Sequence, residues 1–131
     1  MSRHLAIFIG DYIEKIFRGE KTIEGRFSNN KILPYCAVKK GDEILLKQSG
    51  GMIVGRAMVD NALYYEGLDS EAIGKLRKEY SKELRVDDYF WQSKTSAKYA
   101  SLFFLKNPER FLTPIKDKKK DRRAWVVLES D

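Results

Sequence analysis

Apolar and polar positions alternate along this chain in short blocks, and the period of the alternation changes several times. Leu5 to Ile9 is a brief apolar run that reads as a first strand. Asp11 stands three residues before Glu14, a capping-box spacing with Asp in the cap position. Ile13, Ile16 and Phe17 then form one apolar face of a short helix, and Gly19 follows where helices end on a left-handed residue. Lys21 to Phe27 returns to strand alternation, with Thr22, Glu24 and Arg26 on one side and Ile23 and Gly25 on the other.

Asn29 to Pro34 reads as a loop. Gly41-Asp42 opens a strand over Glu43 to Gln48, Gly50-Gly51 turns the chain, and Met52 to Asp60 returns as the second arm of a hairpin. Gly55 within that arm predicts a bulge or a close backbone approach. Asp69 or Ser70 caps a second helix, with Ile73, Leu76, Tyr80 and Leu84 at helical spacing and Lys75, Lys78, Lys82 and Arg85 outside. Gly74 weakens this helix. Asp87 to Ser93 predicts a short helical turn, Tyr99 to Leu105 a strand, Asn107-Pro108 a break, and Arg123 to Leu128 a final strand. Five to six short strands with two or three helices between them predict an α+β barrel rather than a layered βαβ sheet.

The 131 residues suit one domain spanning 1–131, with no repeat, low-complexity tract or linker. Cys36 is the single cysteine, which excludes an internal disulfide and a cysteine metal cluster and fits a reducing compartment. His4 is the single histidine, so a Ser–His–Asp triad or a multi-histidine zinc site would rest on one residue near the flexible start. No metal or cofactor is expected. Leu5 to Ile9 is too short for a signal peptide core, and nothing approaches the roughly 20 apolar residues of a membrane span. The expected setting is soluble and cytoplasmic.

The formal net charge is +6. From Lys106 to Arg123 there are 8 basic and 3 acidic residues, leaving the remainder almost neutral. A basic segment on a near-neutral body is the footprint of a phosphate-backbone contact. A solvated turn around Lys118-Lys119-Lys120 accounts for it equally well.

Gly19-Glu20-Lys21-Thr22-Ile23-Glu24-Gly25-Arg26 carries the densest chemistry. It places a lysine, a carboxylate and an arginine within six residues, at the start of a strand. Facing into a small barrel, Glu24 and Arg26 would make a buried charged site whose members need one another. Facing outward, they would be a weak surface pair. Aromatic residues form a second constellation: Tyr64, Tyr65, Tyr89, Phe90 and Trp91 lie among basic residues and are followed by Lys94, Lys98 and Tyr99. Aromatic faces stack bases and cations hold phosphates, although Phe90, Trp91, Phe103 and Phe104 also suit a barrel core. Lys47 to Gly51 could present backbone donors and Ser49 to an anion, or simply turn a hairpin.

The pattern G-x-K-x-x-E-x-R after a short helix, filled here by Gly19, Lys21, Glu24 and Arg26, resembles the signature of the ASCH domain family within the PUA-like superfamily. Gly41-Asp42 with Ile44, Val54-Gly55-Arg56-Ala57 with Val59, and Arg123-Ala124-Trp125-Val126-Val127 resemble its later strands. The resemblance implies a PUA-like β-barrel with a Lys–Glu–Arg cleft and a role in binding RNA or a modified nucleoside. Some members resemble acetylcytidine amidohydrolases or have been proposed as ribonucleases. In the amidohydrolases a threonine nucleophile, helped by the lysine, stands at the motif's glutamate position. This chain departs from that pattern, with Glu24 there and Thr22 two residues earlier.

Two readings follow. A binding module would use Lys21, Glu24, Arg26, Lys47, Ser49, Trp91, Lys94 and Tyr99 toward RNA or a nucleoside or nucleotide. A small hydrolase would use Glu24 as general base, with Lys21 or Arg26 stabilising the oxyanion.

Overall fold

The computed structural model describes residues 1–117 and 123–130. Six strands and three helices follow in the order β1 (Arg3–Phe8), α1 (Tyr12–Phe17), β2 (Ile23–Ser28), β3 (Glu43–Gln48), β4 (Ile53–Tyr65), α2 (Ser70–Leu84), α3 (Asp88–Ser93), β5 (Tyr99–Ile115) and β6 (Trp125–Glu129). The strands form one sheet in the order β2-β5-β4-β3-β1-β6, curled into a half-barrel. Every pairing is antiparallel except β1 with β3. The expected α+β, PUA-like barrel is the observed architecture.

The sheet separates two apolar layers. Inside the curl lie Ala6, Phe8, Leu46, Val59, Phe103 and Trp125, closed at one end by Ile13 and Ile16 of α1. Outside it, Ile23, Ala100 and Leu102 pack against Ile73, Leu76 and Leu84 of α2 and against Trp91 of α3. Strand alternation accounts for the division: Leu102 faces the helices while its neighbour Phe103 faces the interior. Gly25 on β2 lets α2 approach, because a Cβ there would lie 2.8 Å from Leu84.

The structure corrects several sequence expectations. β4 and β5 run to Tyr65 and Ile115, past the ends predicted at Asp60 and Leu105. Asn107-Pro108 does not break β5. Two β5 residues, Asn107 and Pro108, oppose Ala57 alone between the pairs Met58–Lys106 and Arg56–Glu109, which makes a bulge. Asn107 takes the left-handed conformation at φ 50°, and Pro108 sits where no ladder N–H is required. Asp11 precedes α1, but its side chain caps no amide. Its carboxylate lies 3.3 Å from Lys15, while Glu14 pairs with Arg110 at 2.7 Å. His4 does not sit in a loose terminus. It is fully buried in β1, between Asp42 and Trp125.

Candidate functional site

The strand period of β2 turns Glu24 and Arg26 toward the barrel interior, opposite Phe103 and Ser101 of β5. Lys21 enters from the turn after Gly19, whose φ of +75° reverses the chain at the end of α1. Lys21 is 2 % exposed and Glu24 7 %. Two buried charges of this kind persist only when paired and hydrogen-bonded. Lys21 Nζ lies 3.1 Å from Glu24 Oε1, and Arg26 Nε donates to Glu24 Oε2 at 2.8 Å. Each carboxylate oxygen therefore has its own cation. Lys21 also donates to the Leu84 carbonyl at 2.5 Å, so the end of α2 helps to fix the ammonium.

Burial would push the Glu24 carboxyl up, but the charges of Lys21 and Arg26 and their hydrogen bonds outweigh it and hold its pKa below the ordinary value. Burial, helped by Asp87 and Glu24, pushes the Tyr12 hydroxyl up.

Arg26 spans the opening of the half-barrel. Its strand, β2, is one edge of the sheet. Its guanidinium donates to the Ile7 carbonyl of β1 at 3.0 Å and reaches the Ala124 carbonyl, just before β6, at 3.4 Å. The same group lies over the Phe8 and Trp125 rings, 5.0 and 5.2 Å from their centroids. Of five guanidinium N–H groups, three are used; of three on Lys21, two are used. The remainder have no protein partner among the described residues.

These side chains floor a cleft of about 330 Å³ whose walls include Phe8, Tyr12, Phe27, Phe90 and Lys94. Lys94 Nζ sits 5.4 Å from the Phe90 ring centroid, and Lys21 Nζ 5.0 Å from that of Tyr12. Of the residues singled out in the sequence, Lys21, Glu24, Arg26, Phe90 and Lys94 meet in this cleft. Tyr99 lines an adjoining cavity that shares Arg26.

Lys47, Ser49 and Trp91 do not line the cleft. Lys47 pairs with Asp117 at 3.0 Å. Ser49 is an exposed turn residue whose amide donates to the Phe8 carbonyl. Trp91 is 3 % exposed, packs under α2 and donates to Ser81 at 3.3 Å. Thr22 is exposed and lies outside the cleft, its backbone tied to Glu83 and Leu105. Lys118, Lys119 and Lys120 fall outside the described residues. The sequence reading missed Tyr12, which α1 presents beside Lys21, and the Ile7 and Ala124 carbonyls. Among the described residues no group of three or more His, Cys, Asp or Glu is gathered to hold a metal, and no helix is long and apolar enough to cross a membrane.

A curled six-stranded sheet with a charged cleft at its open edge places the chain in the PUA-like barrel class. Residues 10–115 match the ASCH domain, and the chain belongs to that family. The crystal structure of ASCH from Zymomonas mobilis superimposes with a TM-score of 0.74 at 14 % identity, covering 98 % of this chain and 88 % of that one. A serine-to-alanine variant of the same Zymomonas mobilis protein gives 0.74 at 14 % identity, with 98 % and 89 % covered. A structure of a hypothetical protein gives 0.51 at 20 % identity, with 83 % and 100 % covered. At such identities the likeness concerns the fold. No curated protein matches the sequence.

Proposed function

We propose that this protein binds RNA or a modified nucleoside, with a base held in the Lys21–Glu24–Arg26 cleft. The observation that carries the reading is the combination of aromatic walls with a floor of paired charges that retains spare N–H donors. Aromatic rings stack a base without regard to its identity, while a carboxylate and neighbouring cations read exocyclic amines and carbonyl oxygens. The floor has one carboxylate against two cations, so it also favours a phosphate. The lone, exposed Cys36 agrees with a reducing, cytoplasmic setting.

The hydrolase alternative assigns Glu24 as general base with Lys21 as its helper. A general base works best with a pKa near the working pH. The Glu24 carboxyl, paired with Lys21 and Arg26, has its pKa held below the ordinary value, which makes it a weak base. The exposed position of Thr22 likewise gives a threonine nucleophile no access to the cleft.

The test is calorimetric titration with short single-stranded RNA and with nucleosides that include acetylcytidine, alongside chromatographic assay of deacetylation. Binding that weakens steeply as salt rises, without turnover, is the expected result. Robust hydrolysis by wild type that disappears in Glu24→Gln would replace the binding reading with the hydrolase. Absence of binding at low salt to every one of these ligands would remove the RNA and nucleoside reading.

A further inference from the structure

A second cavity, of about 150 Å³, lies beside the cleft and shares Arg26, Phe27 and Ala124 with it. Its deepest polar residue is Ser101 on β5, paired in register with Arg26 on β2. Ser101 is 2 % exposed and lines this cavity opposite Arg26. A hydroxyl in that position can donate to or accept from a ligand atom. The walls are Tyr35, Tyr99 and Trp125. Tyr35 and Tyr99 brace one another edge-on at 5.1 Å, which holds their rings in place. Ile32 and Leu33 continue the apolar wall outward beside Trp125.

This chemistry suits a flat heteroaromatic ring. The walls offer ring faces and apolar edges, with the Arg26 guanidinium and the hydroxyls of Ser28, Tyr35, Tyr99 and Ser101 among the lining residues. The volume accommodates a ring system but not a whole nucleotide. Between the two compartments stands Arg26, with guanidinium N–H groups to spare and a local charge balance of two cations to one carboxylate. In a nucleic-acid strand the group between consecutive bases is a phosphate, the natural partner of an arginine in that position.

Resting on the binding reading above, we propose that the site takes two successive nucleotides of a single strand. One base lies in the Glu24 cleft and the next in the Ser101 cavity, with the linking phosphate on Arg26. The ligand class is therefore a strand, and a free nucleoside fills half of the site.

The experiment compares ribodinucleoside monophosphates with nucleoside 5′-monophosphates by calorimetry, on wild type, Ser101→Ala and Tyr99→Leu. The best dinucleotide should bind wild type about tenfold or more tighter than the best mononucleotide, the scale of one added stacked base. Ser101→Ala and Tyr99→Leu should shrink that advantage and leave mononucleotide affinity unchanged. The wild-type comparison needs no variant to fold, and the two variants alter different walls. Mononucleotide binding with no dinucleotide advantage overturns this inference alone. So does an equal loss for both ligand classes in Ser101→Ala. Failure of every ligand to bind overturns it together with the reading on which it rests.

Discussion

The indole N–H of Trp125 donates to Nδ1 of His4 at 3.2 Å, at a point where the imidazole is fully buried. Indole can only donate, so Nδ1 is the bare nitrogen and Nε2 carries the proton that it gives to Asp42, 2.9 Å away. This chain of bonds orients the tryptophan ring on which the Arg26 guanidinium rests.

His4 should therefore carry its proton on Nε2 and leave Nδ1 bare. Long-range nitrogen–proton NMR tests this without assignment ambiguity, because the chain has one histidine. His4→Leu should destabilise the fold by about 2–4 kcal/mol, since it orphans a buried indole N–H and removes a partner of Asp42. A Nδ1–H resonance pattern would contradict the network.

Stability should fall in acid. Glu24, Asp42 and Glu43 all have pKa values below their ordinary ones. Burial pushes each up but is outweighed: by Lys21 and Arg26 at Glu24, by His4 and two backbone amides at Asp42, and by Arg56 and Arg3 at Glu43. The folded state thus binds fewer protons than the unfolded chain in that range. The stabilisation is complete above about pH 5 and is lost as pH falls through the folded pKa values. Urea unfolding across that range should show the decline. A midpoint unchanged between about pH 6 and pH 3 would show that these ion pairs contribute nothing.

Arg26→Lys should not be conservative. A lysine keeps the charge but cannot reach Glu24, Ile7 and Ala124 together in the fork geometry of a guanidinium. The expected loss is about 1.5–3 kcal/mol, with faster hydrogen exchange at the Ile7 amide, which donates to Ala124. Wild-type stability and exchange in the variant would mean that the opening is held by other contacts.

Two glycines should respond in opposite directions to alanine. At Gly55 a Cβ would lie 2.3 Å from the Glu109 carbonyl oxygen and 2.5 Å from the Phe17 ring, so Gly55→Ala should cost about 1–3 kcal/mol through overpacking. Gly74, within α2, has nothing within 4 Å of its Cβ position, and Gly74→Ala should stabilise by about 0.5–1 kcal/mol. Thermal unfolding of both variants reads the contrast, and equal shifts would contradict this packing.

Much of the molecule follows from local pattern. Glu43 to Gln48 is a strand with the bounds its alternation predicts. Asp69 caps α2 by accepting from the Ala72 amide at 2.8 Å, as its position before the helical period predicts. Lys21, Glu24 and Arg26 were legible as a set because a strand period of two puts Glu24 and Arg26 on one face. The ends of β4 and β5 were not, because the residues that resemble stops, Asp60 and Asn107-Pro108, are absorbed as bulges by the partner strand.

The sequence by itself thus determined the elements, the barrel class and the charged core of the cleft. Tertiary structure decided which distant groups complete it, the Ile7 and Ala124 carbonyls and Tyr12 from α1, and set Ser101 and Trp125 in the adjoining cavity. It also set Trp91, Lys47 and Ser49 away from the cleft, in a helix-covered core, an ion pair and an exposed turn. The reason is physical. Periodicity records that a face is buried, not which face it meets, and a backbone carbonyl accepts a hydrogen bond whatever side chain it carries.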